Sequence, residues 1–504
     1  MPNPPSEDRR LHPASVLFEL AAHLRRLVLP GLFVLLAGAR GGETWQLWLI
    51  VMFLPLALLS IARTLVFRYR MDPEELVIQS GLIFRHQRHV PYERIQNIDA
   101  VQNVFHRALR VVDVRLETAG GQEPEGQLRV VSLAAFEELR TGVRVRRGET
   151  VVQDETGPPL RVPVPLLQLT ARELVVSGLI QGRGLIVIGA LFGLMWETGL
   201  FDRMTTYMFG DVIVGRGVMR QLMRALVGEG MPSWRRIAAT LAAFAGFLAL
   251  TRAFSVGWSL VRLHGFTLSR SGEDLRTDFG LFTRVAATIP MRRIQSVTVL
   301  EGPLHRLFGR VSVRVETAGG TDESVQLQRQ WLAPVIPPER VPALLEQILP
   351  AVDAAAVEWQ PVEARGLRRL RVRSAVKVAL LSLPLFLVLG RFTPILSALL
   401  MLGGEFNARR SIRALGWGAT DSAVFFRSGW LWRRRTVAPF AKIQAVSLQE
   451  SPFDRRHGMA TVVVDTAGMG ADGHRIDVPF LSRPVAGALS ADLAVQAART
   501  TFRW

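Results

Sequence analysis

The stretch Pro91-Tyr92-Glu93-Arg94-Ile95-Gln96 decides the fold, because it occurs three times along the chain. It returns as Pro290-Met291-Arg292-Arg293-Ile294-Gln295 and again as Pro439-Phe440-Ala441-Lys442-Ile443-Gln444. Such self-similarity within one chain is the sequence signature of a repeated structural unit.

Three further landmarks keep a fixed distance from the repeated proline. Ten residues before it lies a glycine, at Gly81, Gly280 and Gly429. Sixteen residues after it lies an arginine, at Arg107, Arg306 and Arg455. An acid-Thr-Ala-Gly string begins ten residues beyond that arginine, at Glu117, Glu316 and Asp465. Because no gap interrupts these spacings, the sequence predicts three copies of one domain.

Each copy has the pattern of β structure closed by a helix. Val114 and Leu116 alternate with charged residues, the period of a half-buried strand. The repeated glycine marks a turn between two short strands, and the repeated proline begins a strand. An amphipathic helix is predicted over Pro338–Leu349 in the second copy, with a shorter candidate around 134–139 in the first copy and another candidate around 486–498 in the third. Several strands and one helix indicate a small barrel or half-barrel.

This layout of Gly, Pro-x-x-Arg-Ile-Gln, Arg and Thr-Ala-Gly resembles the bacterial pleckstrin-homology-like domain of the second type (bPH2). The order of three copies with apolar segments between them is similar to the three-repeat membrane proteins of that family. The resemblance implies PH-like barrels, each with a C-terminal helix. The family's Arg-x-x-Gly step is present at Arg306–Gly309 and Arg455–Gly458, but Arg110 replaces the glycine in the first copy. We therefore expect the loop of that copy to depart from the other two.

Composition narrows the range of functions. The 504 residues carry a formal net charge of +18, 49% are hydrophobic, and the mean hydropathy is +0.23. There are no cysteines, which excludes disulfides, thiolate metal sites and cysteine nucleophiles. Nucleic acid and anionic lipid are the usual partners of so basic a chain. Since the arginines cluster beside apolar segments, we expect anionic membrane lipids as partners and no nucleic acid.

Apolar blocks come in pairs ahead of each copy. The pairs are Leu27–Ala39 with Trp45–Ala62, Gly184–Phe201 with Ile237–Val261, and Val378–Gly390 with Phe392–Gly404. Trp45–Ala62 contains no charge and would be about 27 Å long as a helix, close to the hydrocarbon thickness of a bilayer. Buried core helices are the alternative, but the pairing favours about six transmembrane helices in three hairpins.

The predicted fold is an α+β multi-domain membrane protein with three PH-like β-barrel or half-barrel domains and three transmembrane hairpins. The predicted segments are a polar tail (1–23), hairpin 1 (24–64), domain 1 (65–165), hairpin 2 (166–262, with an outer loop at 202–236), domain 2 (263–360), hairpin 3 (361–408) and domain 3 (409–504). Each hairpin would return the chain to the side it left. Arginines flank the blocks, so the positive-inside rule predicts a multi-pass protein of the bacterial cytoplasmic membrane with its domains in the cytoplasm.

Repeated polar residues are the candidate surface for a partner or a lipid headgroup. They are Arg94, Gln96, Arg107, Arg293, Gln295, Arg306, Lys442, Gln444 and Arg455. The alternative, which we favour, is that they pair with the acid of the Thr-Ala-Gly strand and brace the sheet. A second group is basic and juxtamembrane: Arg68, Arg70, Arg368, Arg369, Arg371, Arg409 and Arg410. These suit lipid headgroups, although positive-inside anchoring alone would explain them.

No catalytic or metal-binding pattern emerges from the sequence. His106 and His305 occupy equivalent positions, where the third copy has Asp454, and we interpret them as surface or capping residues. We expect no cofactor, no metal and no enzyme activity. The leading hypothesis is a membrane scaffold or sensor whose cytoplasmic domains bind a protein, a smaller membrane protein of the same family, themselves or the leaflet. The alternative is a transporter or export accessory, with Glu197 and Arg252 as its intramembrane charges.

Overall fold

The chain folds into two compact units. The computed structural model describes residues 8–20, 58–59, 61–62, 64–82, 84–118, 126–146, 164–182, 189, 234–318, 331–390, 393–466 and 475–499. The first unit comprises residues 1–165, 269–289 and 319–328, and the second comprises 166–268, 290–318 and 329–504. The division runs through the middle copy, so the compact units do not coincide with the sequence repeats.

The first copy has strands on both sides of the repeated proline and a C-terminal helix. Its elements are β1 (Arg9–Arg10), β2 (Arg68–Met71), β3 (Glu75–Ser80), β4 (His86–Pro91), β5 (Ile95–Gln102), α1 (Val104–Ala108), β6 (Val111–Thr118), β7 (Gly126–Ser132) and α2 (Leu133–Arg146). A short 3-10 turn over Tyr92–Arg94 links β4 to β5.

The middle copy follows two helices and repeats the same order. The elements are β8 (Val164–Gln168), α3 (Ala171–Gln181), α4 (Trp234–Arg262), β9 (Thr267–Ser271), β10 (Asp274–Phe279), β11 (Arg284–Pro290), β12 (Ile294–Glu301), α5 (Pro303–Leu307), β13 (Val311–Thr317), β14 (Trp331–Ile336) and α6 (Val341–Ile348).

The third copy is preceded by a helical hairpin. The elements are β15 (Gln360–Pro361), α7 (Gly366–Leu389), α8 (Thr393–Ala414), β16 (Gly416–Ala419), β17 (Ala423–Ser428), β18 (Arg433–Pro439), β19 (Ile443–Gln449), α9 (Pro452–His457), β20 (Met459–Thr466), β21 (Arg475–Ser482) and α10 (Arg483–Arg499). All three copies therefore share one succession of strands, a short helix and a closing helix.

In the first unit, antiparallel sheets cross the boundary between two copies. One sheet has the order β1-β2-β3-β4. In the other, β7-β6-β5 of the first copy continue into β11-β10-β9 of the middle copy. The second sheet of one copy and the first sheet of the next are thus a single sheet.

The second unit repeats this arrangement. Its large sheet has the order β14-β13-β12-β18-β17-β16-β15, so strands of the middle copy continue into strands of the third. Its other sheet, β19-β20-β21, belongs to the third copy alone.

The cores of the first and third copies have the same construction. In the first, Leu76 and Ile78 of one sheet meet Val112 and Val114 of the other. Phe136 and Leu139 of α2 close this core. The third copy buries an equivalent set, Val424, Ala438, Val462, Val464, Leu489 and Leu493. Two sheets closed by a C-terminal helix are therefore present in both copies.

The helices of the described residues include none with both the length and the apolar content needed to cross a bilayer. The expectation of about six transmembrane helices is therefore wrong. Helix α7 begins inside a basic run, so its uncharged part, Val378–Leu389, is only about 18 Å long. Glu405 and Arg409 limit α8 in the same way, and Arg252 interrupts α4. Most of 24–64, the block Gly184–Phe201 except residue 189, and residues 202–233 of the predicted outer loop lie outside the described residues, whereas 234–236 form the start of α4.

The repeated glycine is required by the turn between the first two long strands of each copy. Gly81, Gly280 and Gly429 have φ of 104°, 111° and 76°. A Cβ at these positions would lie 1.9 to 2.0 Å from the carbonyl oxygen three residues later. No side chain is compatible with that approach, which is why the glycine recurs in every copy.

The loop after the short helix is conformationally alike in the three copies. Gly309 and Gly458 have φ of 59° and 62°, and Arg110 has φ of 53°. The expectation that Arg110 would change the loop is therefore wrong. The arginine takes up the left-handed conformation that glycine adopts elsewhere, at a cost of about 1 kcal/mol.

We expect Arg110→Gly to raise the free energy of unfolding by about 1 kcal/mol, because it removes this backbone strain. Gly458→Ala should lower it by a similar amount, since the space around its Cβ is open and only φ is unfavourable. Chemical denaturation of the two variants measures both changes. If the free energy of unfolding changed equally and in the same direction in both variants, backbone strain at Arg110 would be contradicted.

Candidate functional site

The joint between the middle and third copies is a strand edge in a defined register. In the antiparallel pair β12–β18, Thr298 lies opposite Thr436 and Glu301 opposite Arg433. The two threonine hydroxyls are 3.1 Å apart, and an Arg433 nitrogen lies 3.4 Å from a Glu301 carboxylate oxygen. Backbone hydrogen bonds supply the attachment, while these side-chain pairs fix the register.

The joint between the first and middle copies has the same register. In the pair β5–β11, Gln102 lies opposite Arg284 and Ala100 opposite Ala286. Gln102 and Arg284 are the repeat equivalents of Glu301 and Arg433. One geometry therefore joins the copies at both places.

The repeated arginine reaches across each joint to the glycine turn of the following copy. Arg306 donates to the carbonyl oxygens of Trp430 and Leu431, each at 3.0 Å. Arg107 donates to the carbonyl oxygen of Leu281 at 2.7 Å. Arg455 in the last copy is exposed, and within the described part of the chain its guanidinium has no hydrogen bond or ion pair. Two of the three arginines thus serve the joint, and the third has no following copy to reach.

Burial of the Arg-Ile-Gln motif differs between the copies. In the middle copy Arg293 is 9% exposed and Gln295 is 2% exposed, and the Gln295 amide donates to the Arg293 carbonyl oxygen. In the third copy Gln444 is exposed. Lys442 donates to the carbonyl oxygen of Arg292, and burial lowers the pKa of its ammonium group.

The side chains of Arg94 and Gln96 lie outside the described residues. The bracing role that the sequence favours concerns the acid of the Thr-Ala-Gly strand, which is Glu316 in the middle copy. Ser296 donates to the Glu316 carboxylate at 2.9 Å. Roles of the repeated polar residues in binding a partner or a lipid stay predictions.

The basic residues predicted to lie beside the membrane take part in ion pairs around α7 and α8. Arg369 binds Asp454 at 2.6 Å, and Arg371 and Arg409 both bind Glu405. Although burial opposes it, hydrogen bonds from Ser451 and Arg369 hold the pKa of Asp454 below its ordinary range. The hydrogen bond from Arg371 likewise lowers the pKa of Glu405.

The remaining members of this basic set are placed differently. Arg410 lies over the Phe406 ring, at 5.3 Å from its centroid. Arg70 forms a two-pronged pair with Asp72, and Arg68 lies 3.6 Å from Asp8. Arg368 is exposed and lines an open cleft of about 680 Å³. Its charged and titratable walls are Arg365, Arg368, Arg371, Arg456 and His457. This cleft is a concentration of positive charge suited to an anionic group.

Arg252, a candidate charge for transport, has a structural contact. Its guanidinium donates to the Leu179 carbonyl oxygen at 2.9 Å, and Ser255 and Ser259 donate to carbonyls of the same helix, α3. These bonds hold α4 against α3. Glu197 lies outside the described residues.

The repeat position of His106, His305 and Asp454 caps the short helix in the last two copies. The Nδ1 atom of His305 accepts from the Gly302 backbone N–H, and Asp454 accepts from Ser451. The Nε2 atom of His305 lies 3.0 Å from the Ser312 hydroxyl, which donates to the Pro334 carbonyl. His106 stacks on Phe18 instead. Among the described residues, no three His, Asp or Glu side chains assemble into a metal-binding group.

Sequence reasoning missed the residues across the joint, above all Thr298, Thr436 and Arg433. The sequence did contain one indication of the joint, because the repeated arginine lies the same number of residues after the repeated proline in all three copies. That spacing fixes how far the short helix lies from the strand edge, but it does not show which strand lies beside that edge.

Comparison with known proteins agrees with the threefold repeat. The family model described as "Bacterial PH domain" (bPH_2) matches residues 24–147, 222–352 and 378–496. The chain is 24% identical over 485 residues to the "UPF0699 transmembrane protein YdbT" of Bacillus subtilis (strain 168). That similarity covers 91% of this chain and 92% of the relative. No solved structure matches the chain.

We expect Arg306→Ala to lower the free energy of unfolding by about 1 to 2 kcal/mol, because two charge-assisted hydrogen bonds across the joint are lost. Arg455→Ala is the matched control, since it removes the same residue at the same repeat position without a bond to break. It should change stability by less than about 0.5 kcal/mol at low protein concentration. Equal losses in urea denaturation would contradict the role given to Arg306.

The cap at His305 makes stability depend on pH. Burial lowers the pKa of His305 although Glu301 opposes the shift, so the unfolded chain binds the proton more readily. Stability should therefore fall as the pH drops below about 6.5, the ordinary histidine value. His305→Asp, which copies the third repeat, should reduce this loss, whereas His264→Asn at an exposed site should not. Identical thermal midpoints of the wild type at pH 7.5 and 5.5 would refute the prediction.

Proposed function

Because this chain belongs to the bacterial PH domain family, we propose that it is a membrane-associated, non-enzymatic scaffold or sensor. Its PH-like domains would bind protein partners, further copies or the leaflet surface. The proposal assigns the domains to the cytoplasmic side of a bacterial membrane, with no cofactor and no nucleic acid partner.

The observation that carries the proposal is the edge-to-edge joint. The first copy is joined to the middle copy, and the middle copy to the third, by pairing of strands at their edges. Such strand addition is an established mode of protein recognition. The arginine at each joint binds backbone carbonyls rather than a small-molecule site. Residues that recur in every copy thus support association between domains.

Membrane association is supported by the distribution of charge and apolar surface along the hairpin of α7 and α8. Its base carries the basic cleft, while large apolar side chains are exposed toward the turn that joins the helices. These are Leu380, Leu383, Phe386, Ile395, Leu399 and Leu402. Apolar patches of this kind beside basic residues suit the headgroup and upper acyl region of an anionic leaflet. The name of the Bacillus subtilis relative, a transmembrane protein, is consistent with this proposal.

We expect the chain to bind vesicles containing anionic phosphatidylglycerol in preference to vesicles of neutral phosphatidylcholine. The double substitution Arg365→Ala with Arg368→Ala should weaken binding to anionic vesicles about thirtyfold, at about 1 kcal/mol for each basic residue. Co-sedimentation over a range of salt concentrations measures the effect, which should shrink as salt screens the charges.

The matched control is Arg172→Ala with Arg340→Ala, which removes two exposed arginines elsewhere in the same unit. Equal weakening by the two double variants would show only a dependence on net charge. Unchanged binding in the cleft variant would remove the cleft from the proposal.

A further inference from the structure

At the two ends of the series of copies, two strand edges of different kinds have no neighbouring strand among the described residues. Strand β5 is paired by β11 and β12 by β18, but β19 of the third copy has only β20 beside it. At the other end β4, the equivalent of β11 and β18, has only β3. Within the described residues, one edge of each kind is therefore unpaired.

The side chains of β19 are more exposed than those of its equivalent strand β12. In β12 the side chains of Gln295, Ser296 and Thr298 are 2%, 1% and 7% exposed. Their equivalents in β19 are Gln444, Ala445 and Ser447, and all three are exposed. The sequences are close, so the difference comes from the missing neighbour.

Strand β4 is likewise more exposed than its equivalents β11 and β18. Thr436 of β18 and Ala287 of β11 are 8% and 2% exposed, whereas Arg88 at the same repeat position is exposed. The turn before β4 has the same glycine geometry as the turns before β11 and β18. Its Leu82 carbonyl corresponds to the carbonyls of Leu281 and Trp430, which accept from the repeated arginines.

Charge favours pairing between unlike edges. Strand β4 carries Arg88 and is preceded by Arg85, so pairing two copies of it would bring like charges together. Strand β19 carries no charged residue, and Glu450 follows it. In the register of the existing joints Glu450 would face Arg85, as Glu301 faces Arg433.

We propose that β19 of one molecule pairs with β4 of a second copy of this chain, in the register of the two internal joints. Ser447 then lies opposite Arg88, and Arg455 donates to the Leu82 carbonyl of the neighbour. Because the two surfaces differ, the association is head-to-tail and builds a ring or an open filament. The inference deepens the proposed scaffold function and rests on it, since it identifies the domain's own second copy as a partner.

The lack of cysteine in the natural sequence gives a clean test. The full chain carrying Ser447→Cys and Arg88→Cys should form, on mild oxidation, a reducible ladder of two, three and more chains. The variant with Ser447→Cys and Gln87→Cys is shifted by one residue, so its second cysteine faces the other side of the strand and it should stay largely unlinked.

An internal control establishes that the joint accepts a disulfide. Thr298→Cys with Thr436→Cys should close within one chain, since those hydroxyls are 3.1 Å apart. If this control closes while the Ser447 and Arg88 variant stays monomeric, the proposal is overturned. Equal ladders from both registers would also overturn it, because random collision would explain them.

A second measurement tests the arginine. Arg455→Ala should weaken self-association about tenfold in sedimentation, through loss of a charge-assisted hydrogen bond. Arg456→Ala, its exposed neighbour in α9, should leave association unchanged. Equal effects would overturn the role of Arg455. A chain that binds anionic vesicles but stays monomeric in every test would refute this inference while leaving the membrane scaffold proposal standing.

Discussion

An open strand edge presents a row of backbone N–H and C=O groups without partners, and the arrangement of this chain follows from how those edges are closed. Each copy has two such edges beside the repeated proline. One belongs to the strand that ends at the proline (β4, β11 or β18), and the other to the strand that follows it (β5, β12 or β19). Since β5 accepts β11 and β12 accepts β18 in one register, two joints of identical geometry connect the three copies. The glycine turn and the arginine after it belong to the same joint. Residues that look unrelated in one copy therefore act together only when two copies meet.

The repeats were predictable from sequence because their spacing survives divergence of the side chains. The strands around Val114, the turn at Gly81 and the closing helix near Leu344 all follow from local patterns. The pairing of strands between copies was not predictable in this way. Alternation shows which face of a strand is buried, but it does not show which strand lies at its edge. Arg107 and Arg306 were accordingly expected to be surface or bracing residues, whereas they bridge two copies.

The membrane helices were predicted wrongly for a related reason. An apolar run shows where lipid contact is favourable, but not where the helix around it begins and ends. Helix α7 extends through the basic run 368–377, and α8 continues past Glu405 into Arg409 and Arg410. Arg369 binds Asp454, and Arg371 and Arg409 bind Glu405, so these charges belong to the folded base of the hairpin. The apolar portion that remains is suited to contact with a leaflet surface.

The measurement that tests the edge joint most directly is amide hydrogen exchange, followed on peptides that cover β12 and β19. The two strands have similar sequences and pack on the same kind of inner neighbour, so only the outer neighbour separates them. In the Arg455→Ala chain, diluted until sedimentation shows a monomer, we expect the amides of 294–301 to exchange slowly and a substantial part of those of 443–449 to exchange rapidly. Equal rapid exchange in both strands would contradict the joint between the middle and third copies, and with it the account of the repeated residues.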